Sequence, residues 1–473
     1  MGSLSASLLG AANALDAYQY ALGVSQNNID NASTPGYAKQ QVVLQSRAFD
    51  PSTGLSGGVD RGELVNSRDL LAERNVWEQA AAQGDASARN QALSGIEAAL
   101  PVSEGSGIPG ALNAFFNDVS AWSASPNDGS IRQAVLDSAN AVVQSFGSTA
   151  AALANVAQST DQSIQDTVGQ VNRLSTELSN LNAEIHRGGQ KDAGLEAQIY
   201  STLESLSSLV DLTVLPQQDG TLSVSLAGGA PLVIGSSSYA LKATNAPASA
   251  QTIDQNAPPH AAIRAADGSD ITGQIHSGKL HGLLQTRNVT LPGIIGDSTQ
   301  PGALNELAQG MALRVNQIVG QATDVNQATS GFFLTDPTQP ASAAANLAMD
   351  PAVTGSSLAT ADRNGVPNGI PLALAALANP RSGADQIHNV SYTVFYGNTA
   401  AQIGRGVNQA QNDQDLTTQT LAQARSSRQS VSGVSLDAEA ITILQFQQAY
   451  QAAAKLVSTL DNLTQTIINM IQP

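Results

Sequence analysis

The C-terminal segment Gly433 to Pro473 cannot be left in water as a lone helix. Ile443, Phe446, Tyr450, Ala453, Val457, Leu460, Thr464, Ile467 and Ile471 recur in steps of three and four, and only Thr464 is polar. A stripe of that spacing predicts a helix laid along another helix. The N-terminal segment carries a matching stripe: Leu4, Leu8, Ala11, Leu15, Tyr18, Leu22 and Ile29, with Ser25 its polar break. The chain leaves the first helix at its far end and must return there to begin the last, so the two should run antiparallel. Two ordinary amphipathic core helices would show the same spacing, so the sequence around the stripes has to separate the readings.

Between the termini lies the longest regular pattern. Leu136, Ala139, Val143, Phe146, Ala150, Leu153, Ala157, Thr160, Ile164, Thr167, Val171, Leu174, Leu178, Leu181 and Ile185 alternate steps of three and four, and no charge enters the seam. At 1.5 Å per residue this predicts a helix roughly 75 Å long, ended by Gly188-Gly189, with a second helix over about 193–210 folded back on it. Helices are also expected over 65–100, interrupted near Gly84, over 111–122, from Gly278 to about Ala322 with a break at Pro292-Gly293, and from Tyr392 to about Ser430. The period changes to two in the stretch around Val214, Leu222, Val224, Leu226, Leu232, Val233 and Ile234, with turn pairs at Asp219-Gly220 and Gly228-Gly229. That predicts short strands, followed by a surface loop over 244–260 and a hairpin over 261–275 about Asp267-Gly268. A short strand is expected at 40–45 and loops at 50–58 and 100–110. Residues 323–390 offer few anchors, of which Phe332-Phe333 is the clearest.

The fold class expected is therefore mainly α with a small inserted β domain: a terminal antiparallel coiled coil, a long-helix bundle and an outer β-rich domain. The expected domains are 1–64 with 430–473, 65–210 with 278–429, and 211–277.

Composition narrows the function. The 473 residues carry a formal net charge of -17, so no basic stripe exists to neutralise phosphates and nucleic acid is not an expected partner. Charged residues make up only 12% and aromatics 4%, which suits long, thinly packed helices better than an enzyme core. There is no cysteine, hence no disulfide or thiol chemistry. No apolar run is long enough to cross a bilayer. The first basic residue is Lys39, so Ala12-Asn13-Ala14 is not read as a signal-peptide cleavage site.

Chemical motifs give way to bland readings. Gly105-Ser106-Gly107-Ile108-Pro109-Gly110 matches a nucleotide-loop pattern by letter, but no strand precedes it and Pro109 removes an amide that phosphate would need. Gly296-Asp297-Ser298 resembles a nucleophile motif, yet lies between helical segments, where a turn or helix cap is expected. His276 and His281 are five apart and His186, His260 and His388 are scattered, so no metal set is visible. Asp413, Asp415, Asp267 and Asp270 read as solvated acids. No catalytic residue, cofactor or metal is expected.

Two stretches flanking the stripes carry a family resemblance. Asn27-Asn28-Ile29-Asp30-Asn31-Ala32-Ser33-Thr34-Pro35-Gly36-Tyr37-Ala38-Lys39-Gln40 resembles the N-terminal signature of bacterial flagellar rod, hook and hook-associated proteins. Ser432-Gly433-Val434-Ser435-Leu436-Asp437-Ala438-Glu439-Ala440, followed by Phe446 to Lys455, is similar to their C-terminal signature. The Pro-Gly-Tyr and Ser-Gly-Val-x-Leu-Asp forms are most like the hook-associated branch. Two departures stand out: Ala38-Lys39 replaces the usual Ser or Thr and Arg, and Ala438 replaces a common acidic residue.

The resemblance implies a structural protein of the flagellum, without enzymatic activity, forming a ring between hook and filament by self-assembly through its terminal helices. It implies contact with the hook protein on one side and the next hook-associated protein on the other. It also implies an export chaperone and exit through the flagellar type III channel to the cell exterior without a cleaved signal. The residues expected at the assembly interface are Leu8, Leu15, Leu22, Ile29, Pro35, Gly36, Tyr37, Leu436, Phe446, Tyr450, Val457, Leu460 and Ile467. Two thin helices gain little from burying one stripe, so both ends are expected to be mobile in the free subunit and to order on incorporation. The alternatives are another axial protein, of hook or distal rod, and, further off, a secreted helical adhesin or enzyme.

Overall fold

The terminal helices pair with each other, and the hairpin that follows the first helix packs on it. A computed structural model describes residues 2–50, 55–103, 105–189, 192–246, 252–254, 257–322 and 331–471. Helix α1 (Gly2–Asp30) ends in a turn at Pro35-Gly36. The chain then forms an antiparallel β-hairpin. Strands β1 (Gln40–Val42), β2 (Gln45–Ser46) and β3 (Phe49–Asp50) are answered by β4 (Leu55–Ser56), β5 (Val59–Asp60) and β6 (Leu64–Asn66), in the register Gln40↔Asn66, Gln45↔Asp60 and Phe49↔Ser56. The expected single strand and loop at 50–58 are thus corrected to a long hairpin, with 51–54 outside the described residues. Gly62 lets the two strands close: a Cβ there would strike the Val43 carbonyl.

Helix α2 (Leu70–Ala98) starts at an N-cap, Asp69, whose carboxylate accepts the amides of Leu71 and Ala72. It begins five residues later than expected, since Val65 belongs to β6, and it is continuous through Gly84. That glycine breaks nothing. A Cβ on it would collide with the Ser208 carbonyl, so glycine permits the close passage of a neighbouring segment.

Helices α3 (Gly107–Ala124) and α4 (Gly129–Glu184) follow. The expected loop at 100–110 is shorter than read, because α3 already begins at Gly107. Helix α4, 56 residues long, is N-capped by Asp128 and closes in a turn over Ile185–Gly189 where Gly188 takes φ 120°. Its seam is apolar except at Thr160 and Thr167, whose hydroxyls donate to the carbonyls of Val156 and Ser163 at 2.7 Å and so need no outside partner. Helix α5 (Ala193–Ser207) folds back along it.

Strands β7 (Leu212–Pro216), β8 (Leu222–Leu226), β9 (Pro231–Ile234) and β10 (Ser237–Ser238) form one antiparallel sheet in the order β10-β9-β8-β7. Strands β11 (Lys242–Ala246) and β12 (His260–Arg264) make a separate pair. The hairpin expected over 261–275 is reduced to a turn with Gly268 at φ 87° and one bridge, Arg264↔Asp270. The partner of 260–264 is 242–246 instead, and of the expected loop 244–260, residues 247–251 and 255–256 lie outside the described residues.

Helices α6 (Lys279–Gln285), α7 (Pro292–Ile295) and α8 (Ala303–Val319) come next. Pro292 opens α7, where its missing amide costs nothing. The break falls later, between Gly296 and Gly302, both at φ 79°. Strand β13 (Phe333–Leu334), helix α9 (Ala343–Asn346), strand β14 (Ala348–Met349) and helix α10 (Gly369–Ala376) occupy the region of few anchors, of which 323–330 lie outside the described residues. Phe332 and Phe333 anchor it against Phe115. Helix α11 (Tyr392–Ser432) returns antiparallel to α2, matching Glu97 with Gly404, Arg89 with Asp413 and Glu73 with Arg428. Helix α12 (Leu436–Ile471) completes the chain.

Two cores share α4. Its first half, with Phe146 and Leu153 fully buried, packs among α3, α8, α10 and the start of α11. Its second half, with Val171 and Leu178, packs with α5, α6 and the strands β8, β9 and β12. Strands are held to helices by a repeated device. The Asn182 carboxamide donates to the Leu222 carbonyl at 2.7 Å and accepts its amide at 3.1 Å, acting as one rung of a β-ladder. Asn172 does the same to Leu241, Asn288 to Ala261, Asn316 to Phe333 and Asn28 to Gln40. Such pairs satisfy buried backbone groups without introducing charge.

Candidate assembly interface

The α1–α12 pair is antiparallel. Lys39 meets Glu439 at 2.8 Å near one end, and the rings of Tyr18 and Phe446 lie 6.3 Å apart further along. The predicted stripes form the seam between the helices. Leu8, Leu15, Leu22 and Ile29 on α1, and Phe446, Tyr450, Val457 and Leu460 on α12, are half-buried, and Ala453 is buried. The side chain of Ile471 lies outside the described residues. Leu436 and Ile467 are exposed in the single chain, at 55% and 39%. Another face of α1, including Ala17 and Ala21, is buried, and the hairpin strands β1, β4 and β5 cover this helix.

Helix α12 has a second apolar row. Ile441, Leu444, Leu456, Leu463 and Met470 are exposed, Leu444 at 58% and Met470 at 81%. At about 100° per residue they share one side of the helix, away from the first stripe. Their intervals are 3, 12, 7 and 7, too sparse to stand out in the sequence as a stripe.

The N-terminal signature is a self-bonded corner. The Tyr37 amide donates to Thr34 across Pro35-Gly36, and Gly36 has φ 75°, which makes a type II turn. The Tyr37 hydroxyl donates to the side-chain oxygens of Asn27 (3.0 Å) and Asn28 (2.9 Å). Burial, with Glu439 and Glu196 nearby, pushes the Tyr37 hydroxyl up to about 12, so it remains a donor. Gly36 packs against α5 so closely that a Cβ would overlap the Ala197 carbonyl.

Beside this corner lies a buried network of charges. Arg68 donates to Glu73 (2.6 Å), to Glu196 (2.8 Å) and to the Gly36 carbonyl (2.7 Å), and its guanidinium stacks 3.7 Å from the Tyr200 ring. Glu73, 1% exposed, also accepts from Arg428 at 3.1 Å. Arg428 reaches Glu204 at 2.6 Å, and Glu204 accepts from Arg425 at 2.8 Å. Burial alone would lower the Arg428 guanidinium, but Glu204 and Glu73 more than offset it and hold it charged. Spacing could not have found this set, whose members are spread from 68 to 428.

Nothing in the fold assembles a reaction centre among the described residues, and no group of three or more His, Asp or Glu side chains is placed to hold a metal there. His281 pairs with Asp85 at 2.8 Å and His276 lies 3.7 Å from Asp211, so the two histidines serve different carboxylates. Asp297 forms the expected turn, accepting the amides of Thr299 and Gln300 and facing His260 at 3.0 Å. Burial pushes its carboxyl upward, but the Thr299, His260 and Gln300 hydrogen bonds outweigh that and hold it low. No described helix is long and apolar enough to cross a membrane.

Comparison with known proteins agrees with this architecture. The family described as flagellar hook-associated protein FlgK helical domain matches residues 93–333, and the C-terminal region of flagellar basal body rod FlgEFG proteins matches 425–470. Flagellar hook-associated protein 1 of Bacillus subtilis (strain 168) is 26% identical over 505 residues, covering 97% of this chain and 97% of its own length. The Salmonella typhimurium protein of the same name is 27% identical over 340 residues, covering 69% of this chain and 59% of its own. The solved structure of the flagellar hook junction protein FlgK from Burkholderia pseudomallei shares the fold, with a TM-score of 0.65 at 15% identity, over 76% of this chain and 100% of that one. The helical-domain match spans a little over half of the chain, which therefore belongs to the FlgK family of flagellar hook-associated proteins, structural proteins of the hook–filament junction and not enzymes.

Proposed function

We propose that this chain enters the junction through its α1–α12 pair, with residues 1–64 and 430–473 as the assembly unit. The observation that carries this reading is the exposed apolar row on α12. A row of large side chains on a helix already paired along another face is a surface for a neighbour. The occupant we assign is a second copy of the chain, in a ring or helical array. The hook protein and the next hook-associated protein are its neighbours along the axis. The match of 425–470 to rod proteins supports an inner surface built on the same plan. Membership in the FlgK family is what supports export through the flagellar type III channel, with a chaperone, to the cell exterior.

The far end of α12 is the most open part of the pair, since most side chains from 461 to 470 are exposed. It orders when neighbouring copies cover it, and the corner end of the pair holds its shape alone. The test is Leu444→Asp with Leu456→Asp. Both side chains face away from α1, so the isolated subunit should unfold at the wild-type temperature yet fail to enter junctions when it replaces the wild-type protein in motile cells. Normal incorporation of that variant would overturn the reading. Phe446→Asp, on the seam against Tyr18, should fail as well, but with loosening of the helix pair itself.

A further inference from the structure

The terminal unit is joined to the body by only two chain crossings, 66–70 and 432–436, plus the Pro35-Gly36 turn resting on α5. Two such crossings alone would be a hinge. The buried charges sit across both. Arg68 lies in the first crossing, and Arg428 lies one turn before the second. Glu73 on α2 bonds both arginines, while Glu196 and Glu204 on α5 hold them from beneath. Arg68 also binds the Gly36 carbonyl of the turn, and Asn66 donates to Glu196 at 2.8 Å. Backbone bonds tie the crossings to each other: the Asp69 amide donates to the Ser432 hydroxyl, and the Lys39 amide to the Ser432 carbonyl.

We infer that the alternating chain Glu196–Arg68–Glu73–Arg428–Glu204–Arg425 is a rigid joint that fixes the direction in which the terminal helices leave the body. Three carboxylates and three guanidiniums cancel, so the set is stable only as a whole. At the centre of the chain, where Arg68 and Glu73 are 4% and 1% exposed, removing one leaves the other charged and buried. Arg68 places three different nitrogens on Glu196, Glu73 and the Gly36 carbonyl, which fixes the plane of its guanidinium as a lysine could not. Bending load on the terminal unit therefore passes into α2, α5 and α11 together, and not into the two crossings.

The experiment uses the isolated full chain and is independent of assembly. The sequence has no cysteine, so spin labels can be placed at Gln26→Cys, beside the corner, and at Gln165→Cys, on the exposed side of α4. The wild-type background should give one narrow distance distribution. Arg68→Gln should broaden it while the helical signal of the body is retained. Should Arg68→Gln fail to fold, Arg425→Gln with Arg428→Gln breaks the same chain from its less buried end. The control is Arg287→Gln, which breaks an equally buried bidentate pair with Asp161 inside the body. It should leave the distribution narrow. An unchanged distribution in either folded joint variant, or equal broadening in the control, would overturn the inference.

Discussion

Asn28 is the residue through which α1 holds the hairpin, and its replacement by leucine tests that link quantitatively. Its carboxamide donates to the Gln40 carbonyl (2.8 Å), accepts the Gln40 amide (2.9 Å) and accepts the Tyr37 hydroxyl (2.9 Å), all with the side chain 1% exposed. The neighbouring residues Lys39 and Val43 bond across to the returning strand, so Gln40 points its backbone groups the other way, toward α1. Asn28→Leu leaves both Gln40 groups buried and unpaired, at about 1–3 kcal/mol each. Tyr37 keeps Asn27 and loses little. The net cost, after about 1 kcal/mol regained from burying leucine, is about 1–5 kcal/mol. At a factor of ten for every ~1.4 kcal/mol, native-state hydrogen exchange of the hairpin amides over 41–50 and 55–66 should accelerate about 5- to 4000-fold. The thermal transition of the body, whose core shares no residue with this corner, should not move. Asn28→Asp keeps two of the three bonds but sets a carboxylate against the Gln40 carbonyl. Protonation relieves that conflict, so its exchange should slow as pH falls. Hairpin exchange within about threefold of wild type in Asn28→Leu would refute the argument that this side chain supplies the missing rung.

Two glycines in helices should respond with opposite signs. Gly84→Ala forces a methyl into the Ser208 carbonyl and should lower stability by about 1–3 kcal/mol, whereas Gly147→Ala, with nothing within 4 Å of the new Cβ, should raise it by about 0.5–1 kcal/mol; denaturant midpoints measure both. Asp211 has its carboxyl pushed up by burial, against the pull of the His276 amide. A raised folded-state value contributes stability that is full below the unfolded carboxyl value and is lost as pH rises through the folded one. Asp211→Asn removes that loss, so it should gain on wild type in thermal midpoint between about pH 4 and pH 7; a constant offset across that range would show that Asp211 does not titrate this way.

What could be read in advance followed from short-range physics. The α4 seam was legible because its charge-free three-and-four spacing has no other use, and the corner because Pro35-Gly36 permits few backbone conformations. The α1 and α12 stripes were legible for the same reason, and they do meet, with Tyr18 against Phe446. What escaped depends on partners distant in sequence. Gly84 reads as a break because close approach and chain flexibility use the same residue. Strand 260–264 was paired with its nearest turn, and a helical asparagine, Asn288, instead supports its pairing with 242–246. The charge network was invisible because Glu196 and Glu204 matter only once α5 is known to lie beneath both crossings.

The asparagine rungs and the charge joint together explain how a chain with 12% charged residues holds a long, thin shape. A slender bundle has too little interior to fix every strand by apolar packing, so orientation has to come from directional bonds. Neutral carboxamides do this wherever a strand lies on a helix, since they satisfy two backbone groups without the desolvation cost of a charge. Ion pairs are linked into a chain of six at the exit of the terminal helices, whereas in the body Arg287–Asp161 and Arg314–Asp385 stand as separate pairs. Order should then decay outward along α1 and α12 from that joint. Amides near Asn28 and Glu439 should exchange as slowly as those of α2, and amides beyond Leu460 should exchange fast until neighbouring copies cover them. A flat exchange profile along α12 in the free subunit would separate the two ideas: the joint would stand, and ordering coupled to assembly would not.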